Sequence, residues 1–310
     1  MMNKQKFSDL KVTADGDMRA SVGLKSLDTL WLNTGTICNL TCANCYIESS
    51  PTNDALVYLS HQEVITLLDE IAEKKYPTKE IGITGGEPFI NPDIIEIITE
   101  CLSRGFELLV LTNAMKPMMK KEKELLALKE QYPDLLTLRV SVDHFKQEMH
   151  EEERGEKTWK HMMKGLKWLS DNSFNINIGA RTRWGERQKD LRDGYSELFK
   201  TNNINLDAYN KKELILFPEM DDKEEVPEIT TQCWDLVGAK PEEMMCSSSR
   251  MVVKRKGDEK PSVMACTLLA YDQQFNLGST LEEASKDVYL NHPHCSKFCV
   301  LGGGSCSINE

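Results

Sequence analysis

The sequence predicts an α/β protein: a parallel-stranded barrel with covering helices, followed by a small cysteine-rich segment. Short apolar runs alternate with amphipathic helical segments over about two hundred residues, the pattern of parallel strands packed under helices. Reactive residue types stand where those runs end: the stretch CNLTCANCY, the turn Thr84-Gly85-Gly86-Glu87-Pro88, Thr112-Asn113, Ser141 with Asp143, and Arg181 with Arg183. In barrels, active sites gather at the C-terminal ends of the strands. The composition then changes near Asp221, and six of the ten cysteines lie beyond it.

Residues 1–25 form a polar lead. Leu30 to Thr36 is the first strand and delivers the cysteine-bearing loop. Ser60 starts a helix: with Glu63 it makes a capping box, and Val64, Leu67, Leu68 and Ile71 form one apolar stripe. Ile81 to Thr84 is a buried second strand. Asn91-Pro92 supplies the N-cap and first residue of the next helix, and Gly105 ends it. Its stripe is Ile94, Ile95, Ile97, Ile98, Cys101 and Leu102, where Cys101 reads as a packing residue. Phe106 to Thr112 is strand three, and a Lys- and Glu-rich helix from about Met118 presents a solvated face. Leu135 to Asp143 is strand four, Thr158 to Leu169 a helix, Phe174 to Arg183 strand five, Glu186 to Lys200 a helix and Leu214 to Phe217 strand six. Periodicity alone does not separate a full eight-stranded barrel from a partial one.

Cys38, Cys42 and Cys45 put three thiolates on one short loop. Such a loop can hold three irons of a cubane cluster and leave the fourth open for chemistry. Zinc is the alternative, but it needs a fourth ligand, and no His or Cys follows closely enough to complete a local site. One β/α unit later, Gly85-Gly86 permits a close backbone approach to a ligand. An ordinary strand-to-helix turn is the plainer reading of that pair. CxxxCxxC followed by the aromatic Tyr46, together with Gly85-Gly86-Glu87-Pro88, resembles the radical S-adenosylmethionine (SAM) enzymes. Six β/α units also resemble the open barrel of that family. The expected fold is therefore a partial (β/α)6 TIM-like barrel over residues 26–220, with a small Cys-rich α+β domain over residues 221–310.

The resemblance implies a 4Fe–4S cluster on Cys38, Cys42 and Cys45 whose open iron chelates the amino and carboxylate groups of SAM. Tyr46, Gly85, Gly86, Glu87 and Pro88 would border the SAM pocket, with Glu87 and its neighbouring backbone on the amino group. Reductive cleavage would yield a 5′-deoxyadenosyl radical that takes hydrogen from a substrate. Matching strand-end positions make Asn113 and Ser141 ribose contacts, and Arg181 or Arg183 a carboxylate partner. A structural salt bridge explains either arginine equally well. Many relatives have Gly where this chain has His144, which leaves open whether His144 faces the substrate. The run His150 to Gly155 is expected to order a loop and start a helix.

Beyond the acidic stretch DDKEEVPE, read as a linker, Cys246 and Cys266 bracket an expected hairpin with its turn in MVVKRKG. FNLGSTLEEA is expected to be helical, and Cys295, Cys299 and Cys306 follow. This arrangement resembles the SPASM or twitch extension of radical SAM enzymes. It implies one auxiliary 4Fe–4S cluster with four ligands among Cys246, Cys266, Cys295, Cys299 and Cys306. The spacings are stretched relative to the seven-cysteine SPASM pattern, and zinc on the same residues is the alternative. Cys233, beside Trp234, reads as packing. His292 and His294 read as loop residues or neighbours of the ligands.

A formal charge of −11, from 38 basic and 49 acidic residues, argues against a nucleic-acid surface. No window has the apolar length of a membrane span, and the N-terminus lacks the core of a signal peptide. A cytoplasmic location is expected, where ten cysteines point to metal or catalysis rather than disulfides. No acid–base dyad or Ser/His/Asp set is apparent, as expected when cofactors carry the chemistry. The implied partners are a reductant such as flavodoxin or ferredoxin and a small-molecule, tetrapyrrole-like or peptide substrate. With the barrel beginning near residue 30, a small molecule or tetrapyrrole-like substrate is favoured over a leader-bearing peptide. SAM-regenerating isomerase or epimerase chemistry, or peptide modification by a radical SAM enzyme, is the alternative to the main reading of net oxidation or C–H functionalisation assisted by an auxiliary cluster. A non-catalytic iron–sulfur or zinc scaffold is the alternative class, and Gly85-Gly86-Glu87-Pro88 speaks against it.

Overall fold

A computed structural model of the chain describes residues 5–219 and 225–302. Its strands are β1 Ser21–Val22, β2 Thr29–Asn33, β3 Glu80–Thr84, β4 Glu107–Thr112, β5 Leu136–Ser141, β6 Asn175–Arg181, β7 Leu214–Phe217, β8 Ser249–Val253, β9 Ser262–Met264, β10 Asn276–Gly278 and β11 Val288–Tyr289. Its helices are α1 His61–Lys74, α2 Ile94–Ser103, α3 Lys116–Met119, α4 Glu122–Gln131, α5 Gln147–Arg154, α6 Thr158–Asp171, α7 Gln188–Thr201 and α8 Cys233–Val237.

Strands β2 to β7 pair in sequence order, each parallel to the last, so the six expected β/α units form one curved sheet. Strands covered on both faces need no polar alternation, and β2 is accordingly buried at every position. The sheet continues past β2. Strand β8 pairs with it in parallel, and β9 and β10 follow antiparallel, which makes nine strands in the order β10-β9-β8-β2-β3-β4-β5-β6-β7. The hairpin between Cys246 and Cys266 therefore grows out of the barrel sheet. It also grips the chain beyond the first cysteine loop: Val57 N–H donates to Lys254 O at 2.8 Å and Lys256 N–H to Ala55 O at 3.0 Å. The N-terminal lead is tied to the far end of the chain by β1 against β11. Buried Arg19 adds bonds to the Val12 and Leu290 carbonyls and to Glu228 at 2.6 Å.

Several boundaries differ from expectation for local reasons. The Ser60–Glu63 capping box is formed, with Ser60 N–H donating to the Glu63 carboxylate at 2.9 Å. Helix α2, however, starts after Asp93, not at Asn91-Pro92. The Asn91 side chain accepts from Asp93 N–H at 2.9 Å in a turn, and the Asp93 carboxylate serves the first N–H of α1 at 3.0 Å. The run from His150 lies inside α5, a helix of its own that Gly155 ends at φ 97°. FNLGSTLEEA is not a helix. Phe275 and Leu277 alternate into the core, Asn276–Gly278 joins the sheet as β10, and Gly278 turns at φ 131°. Cys101 is fully buried on the α2 stripe. The compositional boundary near Asp221 lies outside the described residues, as does Cys306.

Candidate active site

The chain leaving β2 lies directly on the glycine pair that follows β3. Gly86 N–H donates to Gly35 O at 2.7 Å and Glu87 N–H to Ile37 O at 3.2 Å. A Cβ on Gly86 would stand 2.2 Å from the Ile37 carbonyl oxygen, and Gly85 adopts φ 145°, so this contact tolerates only glycine. The next residue is Cys38, whose N–H is held by Ser50 O at 3.0 Å. Cys38, Cys42 and Cys45 line one cavity of about 220 Å³ together with Tyr46, Gly85 and Gly86. Leu40 N–H points at Cys38 Sγ from 3.4 Å and Ser49 N–H at Cys45 Sγ from 3.3 Å. Such N–H groups stabilise sulfur ligands when a cluster is bound. Burial pushes the Cys38 thiol up to about 12 and also raises Cys42, while Arg154 nearby works in the other direction on both. A metal or cluster bound by these thiols would have to displace those protons.

Asn113 and Ser141, at the ends of β4 and β5, line the same cavity, as do Asp143, Arg154 and Arg181. Glu87 and Pro88 do not. The Glu87 carboxylate turns inward, accepting from the Thr112 hydroxyl at 2.9 Å, Asn113 N–H at 2.8 Å and Phe89 N–H at 3.3 Å. Burial raises its pKa to about 7 despite those donors. It braces the glycine turn against the end of β4 and so positions Asn113. Arg181 reaches the rim, but its Nη1 pairs with Glu153 at 2.6 Å, and Arg183 pairs with the same carboxylate at 2.7 Å. Both arginines are thus ion-paired with Glu153, while Arg181 also lines the cavity.

Two cations of the cavity, Arg139 and Arg154, were not singled out by sequence as cofactor contacts. Arg139 Nε donates to Asn177 at 2.8 Å, and Arg154 stands beside the cysteine loop. It is paired with Asp143 through Nε and, at 3.2 Å, through Nη2. The visible signal was the Arg154-Gly155 pair closing α5. His144 faces away from the cavity. Its Nδ1 accepts from Lys146 N–H at 2.9 Å, so Nε2 carries the proton and donates to Glu186 at 2.9 Å. His150 is buried edge-on against Trp159, with ring centroids 5.4 Å apart.

A second, smaller cavity is lined by Cys246, Cys266, Cys295 and Cys299, with His294 beside them. Cys246 sits in the turn before β8 and Cys266 just beyond β9. Cys295 and Cys299 share a π-helical segment, Cys295–Leu301. Segments of this wide helical form recur at functional sites. Burial raises the Cys246 thiol to about 11 and Cys295 well above its usual value. Buried Arg250 spends its guanidinium on the carbonyls of Cys246, Ser249, Ala284 and Lys286, at 2.6 to 3.2 Å. Leu268 lines both cavities, and Phe298, between Cys295 and Cys299, lines the first. Cys233 is elsewhere, its sulfur taken up by Thr230 N–H at 3.3 Å. Among the described residues, no three His, Cys, Asp or Glu side chains converge closely enough to hold a single metal ion.

Residues 32–181 match the Radical SAM superfamily. The antilisterial bacteriocin subtilosin biosynthesis protein AlbA of Bacillus subtilis (strain 168) is 26% identical over 280 residues, 84% of this chain and 59% of AlbA. GTP 3′,8-cyclase of Listeria monocytogenes serovar 1/2a is 34% identical over 113 residues, 34% of this chain and 30% of the cyclase. Among solved structures, SAM-bound SuiB of Streptococcus suis aligns with a TM-score of 0.57 at 13% identity, over 80% of this chain and 62% of SuiB. SAM-bound anSMEcpe aligns with a TM-score of 0.58 at 15% identity, over 83% of this chain and 76% of its own. These superpositions establish a shared fold. The chain spans about three fifths of the length of AlbA and SuiB.

Proposed function

With residues 32–181 forming a radical SAM domain, whose enzymes work with a 4Fe–4S cluster and SAM, we propose that this chain modifies a C–H bond of a peptide. The cluster that cleaves SAM sits on Cys38, Cys42 and Cys45, and an auxiliary cluster sits on Cys246, Cys266, Cys295 and Cys299. The observation that carries this reading is the sorting of these seven cysteines into two cavities that share Leu268 as a wall. Bound there and reduced by a flavodoxin- or ferredoxin-like donor, the first cluster supplies the electron that splits SAM and frees the radical that takes hydrogen from the substrate.

The protein's own part is orientation and shielding. Asn113 and Ser141 offer neutral hydrogen bonds to the ribose hydroxyls. Arg154 and Arg181 both line the cavity and each is paired with a carboxylate, Arg154 with Asp143 and Arg181 with Glu153; Arg154, whose charge acts on both Cys38 and Cys42, is the one assigned to the SAM carboxylate. Leu111, Phe217, Leu268 and Phe298 give the remaining wall an apolar surface that keeps water from a reactive radical. At the second site, four thiols line one cavity, the number of cysteine ligands a 4Fe–4S cluster takes; zinc on the same residues is the competing occupant.

The peptide assignment reverses the small-molecule preference drawn from the sequence. AlbA, which resembles 84% of this chain, is named for bacteriocin biosynthesis. SuiB and anSMEcpe have been solved with a precursor peptide and with the Cp18Cys peptide. The test is anaerobic reconstitution of wild type and a Cys38/Cys42/Cys45 triple-alanine variant, counting iron, sulfide and zinc. About eight irons in wild type and about four in the variant are expected for two 4Fe–4S clusters. Reconstituted wild type that makes no 5′-deoxyadenosine from SAM under a strong reductant would sink the reading. One zinc in place of the second cluster would make the C-terminal cysteines structural.

A further inference from the structure

Glu153 stands one residue before Arg154, and its side chain is only 2% exposed. Four donors converge on it, two to each oxygen. Oε1 accepts from Asn44 N–H at 3.0 Å and Arg181 Nη1 at 2.6 Å. Oε2 accepts from Asn44 Nδ2 at 2.9 Å and Arg183 Nη1 at 2.7 Å. That fills the acceptor capacity of a carboxylate. The grip is doubled by the backbone, since Ala43 N–H donates to the Glu153 carbonyl at 2.7 Å. Arg181 Nη2 closes the ring onto Asn44 O at 3.3 Å.

Ala43 and Asn44 are the two residues between Cys42 and Cys45. Neutralising two arginines would need only the carboxylate. It would not need the main chain and side chain of one glutamate to hold the same dipeptide. Nor would it need the next residue, Arg154, to face the cavity those cysteines line.

We propose that Glu153 is a positioning residue for the radical site: it sets the separation of Cys42 and Cys45 and registers their loop against Arg154. A cluster held on the triplet would then stand in fixed register with Arg154, the cation assigned to SAM. Because α5 carries both residues, a shift of the loop and a shift of the SAM partner are one movement. The inference rests on the reading of Cys38, Cys42 and Cys45 as cluster ligands.

The test compares reconstituted wild type with Glu153→Gln, which keeps size but loses the charge shared by Arg181 and Arg183. Iron content, SAM affinity and the electron paramagnetic resonance of the reduced cluster with and without SAM are measured on each. A charge-assisted network of this kind predicts SAM binding weaker by about tenfold or more. The spectral change on adding SAM should be diminished while the iron count stays at the wild-type value. Wild-type SAM affinity and an unchanged SAM-induced spectrum would overturn the proposal. So would equal iron loss from both clusters, which marks a folding role. If Glu153→Gln does not fold, Asn44→Ala removes one hydrogen bond from the loop side, and the same readouts should shift in the same direction. Failure of wild type to cleave SAM would refute the functional reading instead, so the two failures are distinguishable.

Discussion

Replacing Gly86 with alanine adds one methyl where two loops touch backbone to backbone. That methyl would lie 2.2 Å from the Ile37 carbonyl oxygen and 2.8 Å from that of Thr36, against a floor of about 3.0 Å for real Cβ contacts. The obstacle is main chain, so no rotamer relieves it, and the segment leading into Cys38 must retreat by most of an ångström. The hydrogen bonds joining the loops, Gly86 to Gly35 at 2.7 Å and Glu87 to Ile37 at 3.2 Å, are stretched with it. At about 1 kcal/mol for each of the two bonds and about 1–3 kcal/mol for overpacking, the loss is about 3–5 kcal/mol. For a chain of 310 residues, that is a fall in Tm of about 5–8 °C. A misplacement near an ångström also costs about 100-fold in a reaction that depends on aligned groups. Calorimetry of the metal-free protein and 5′-deoxyadenosine formation by the reconstituted enzyme measure the two effects. Gly105→Ala is the control: Gly105 has φ 85° but nothing within 4 Å of a new Cβ, so it should lose stability without losing chemistry. Gly86→Ala with wild-type Tm and wild-type SAM cleavage would refute the steric reasoning.

Cys42→Ala should abolish SAM cleavage in a folded protein, read as loss of 5′-deoxyadenosine, because the triplet site loses one of three ligands. Cys266→Ala should lower iron by about one cluster yet leave uncoupled SAM cleavage measurable; an unchanged iron count would place Cys266 outside the auxiliary site. His150 supplies a pH test. Burial holds its imidazole down to about 4, and neither ring nitrogen finds a hydrogen-bond partner. Between that value and the ordinary 6.5 the unfolded chain binds the extra proton, so its contribution to stability is fully present above pH 6.5 and is lost as pH falls. Urea unfolding of wild type at pH 5 should show a deficit of about 2 kcal/mol relative to pH 7 from this group, and His150→Leu should remove it.

Much of the fold was legible because its signals are local. Capping at Ser60, the apolar stripes of α1 and α2, and the strand runs each depend on neighbours a few residues apart, and they were found within one to three residues of expectation, the first strand ending at Asn33 and not at Thr36. The cysteine triplet and the glycine pair were legible for the same reason, since spacing on one loop limits what the loop can hold. FNLGSTLEEA failed because a helical reading of its charges ignored the period-two burial of Phe275 and Leu277, which only the neighbouring β9 makes worthwhile.

The sequence by itself determined the kind of chemistry, through residue types at short spacing, and the succession of strands and helices. The tertiary structure decided which way each polar side chain turns. A glutamate after a glycine pair serves equally well as ligand contact or brace, and Glu87 became a brace because the Thr112 hydroxyl and the Asn113 and Phe89 amides surround it. Arg181 and Arg183 were interchangeable as cations in the sequence, and the fold brings both onto Glu153 while it sets Arg154, paired with Asp143, against the same cavity. The grouping of Cys246, Cys266, Cys295 and Cys299 was likewise beyond spacing alone, because β8 and β9 join the barrel sheet and carry two of them to meet a π-helical segment far along the chain. Those outcomes depend on partners distant in sequence, and burial makes a polar group's partner decisive.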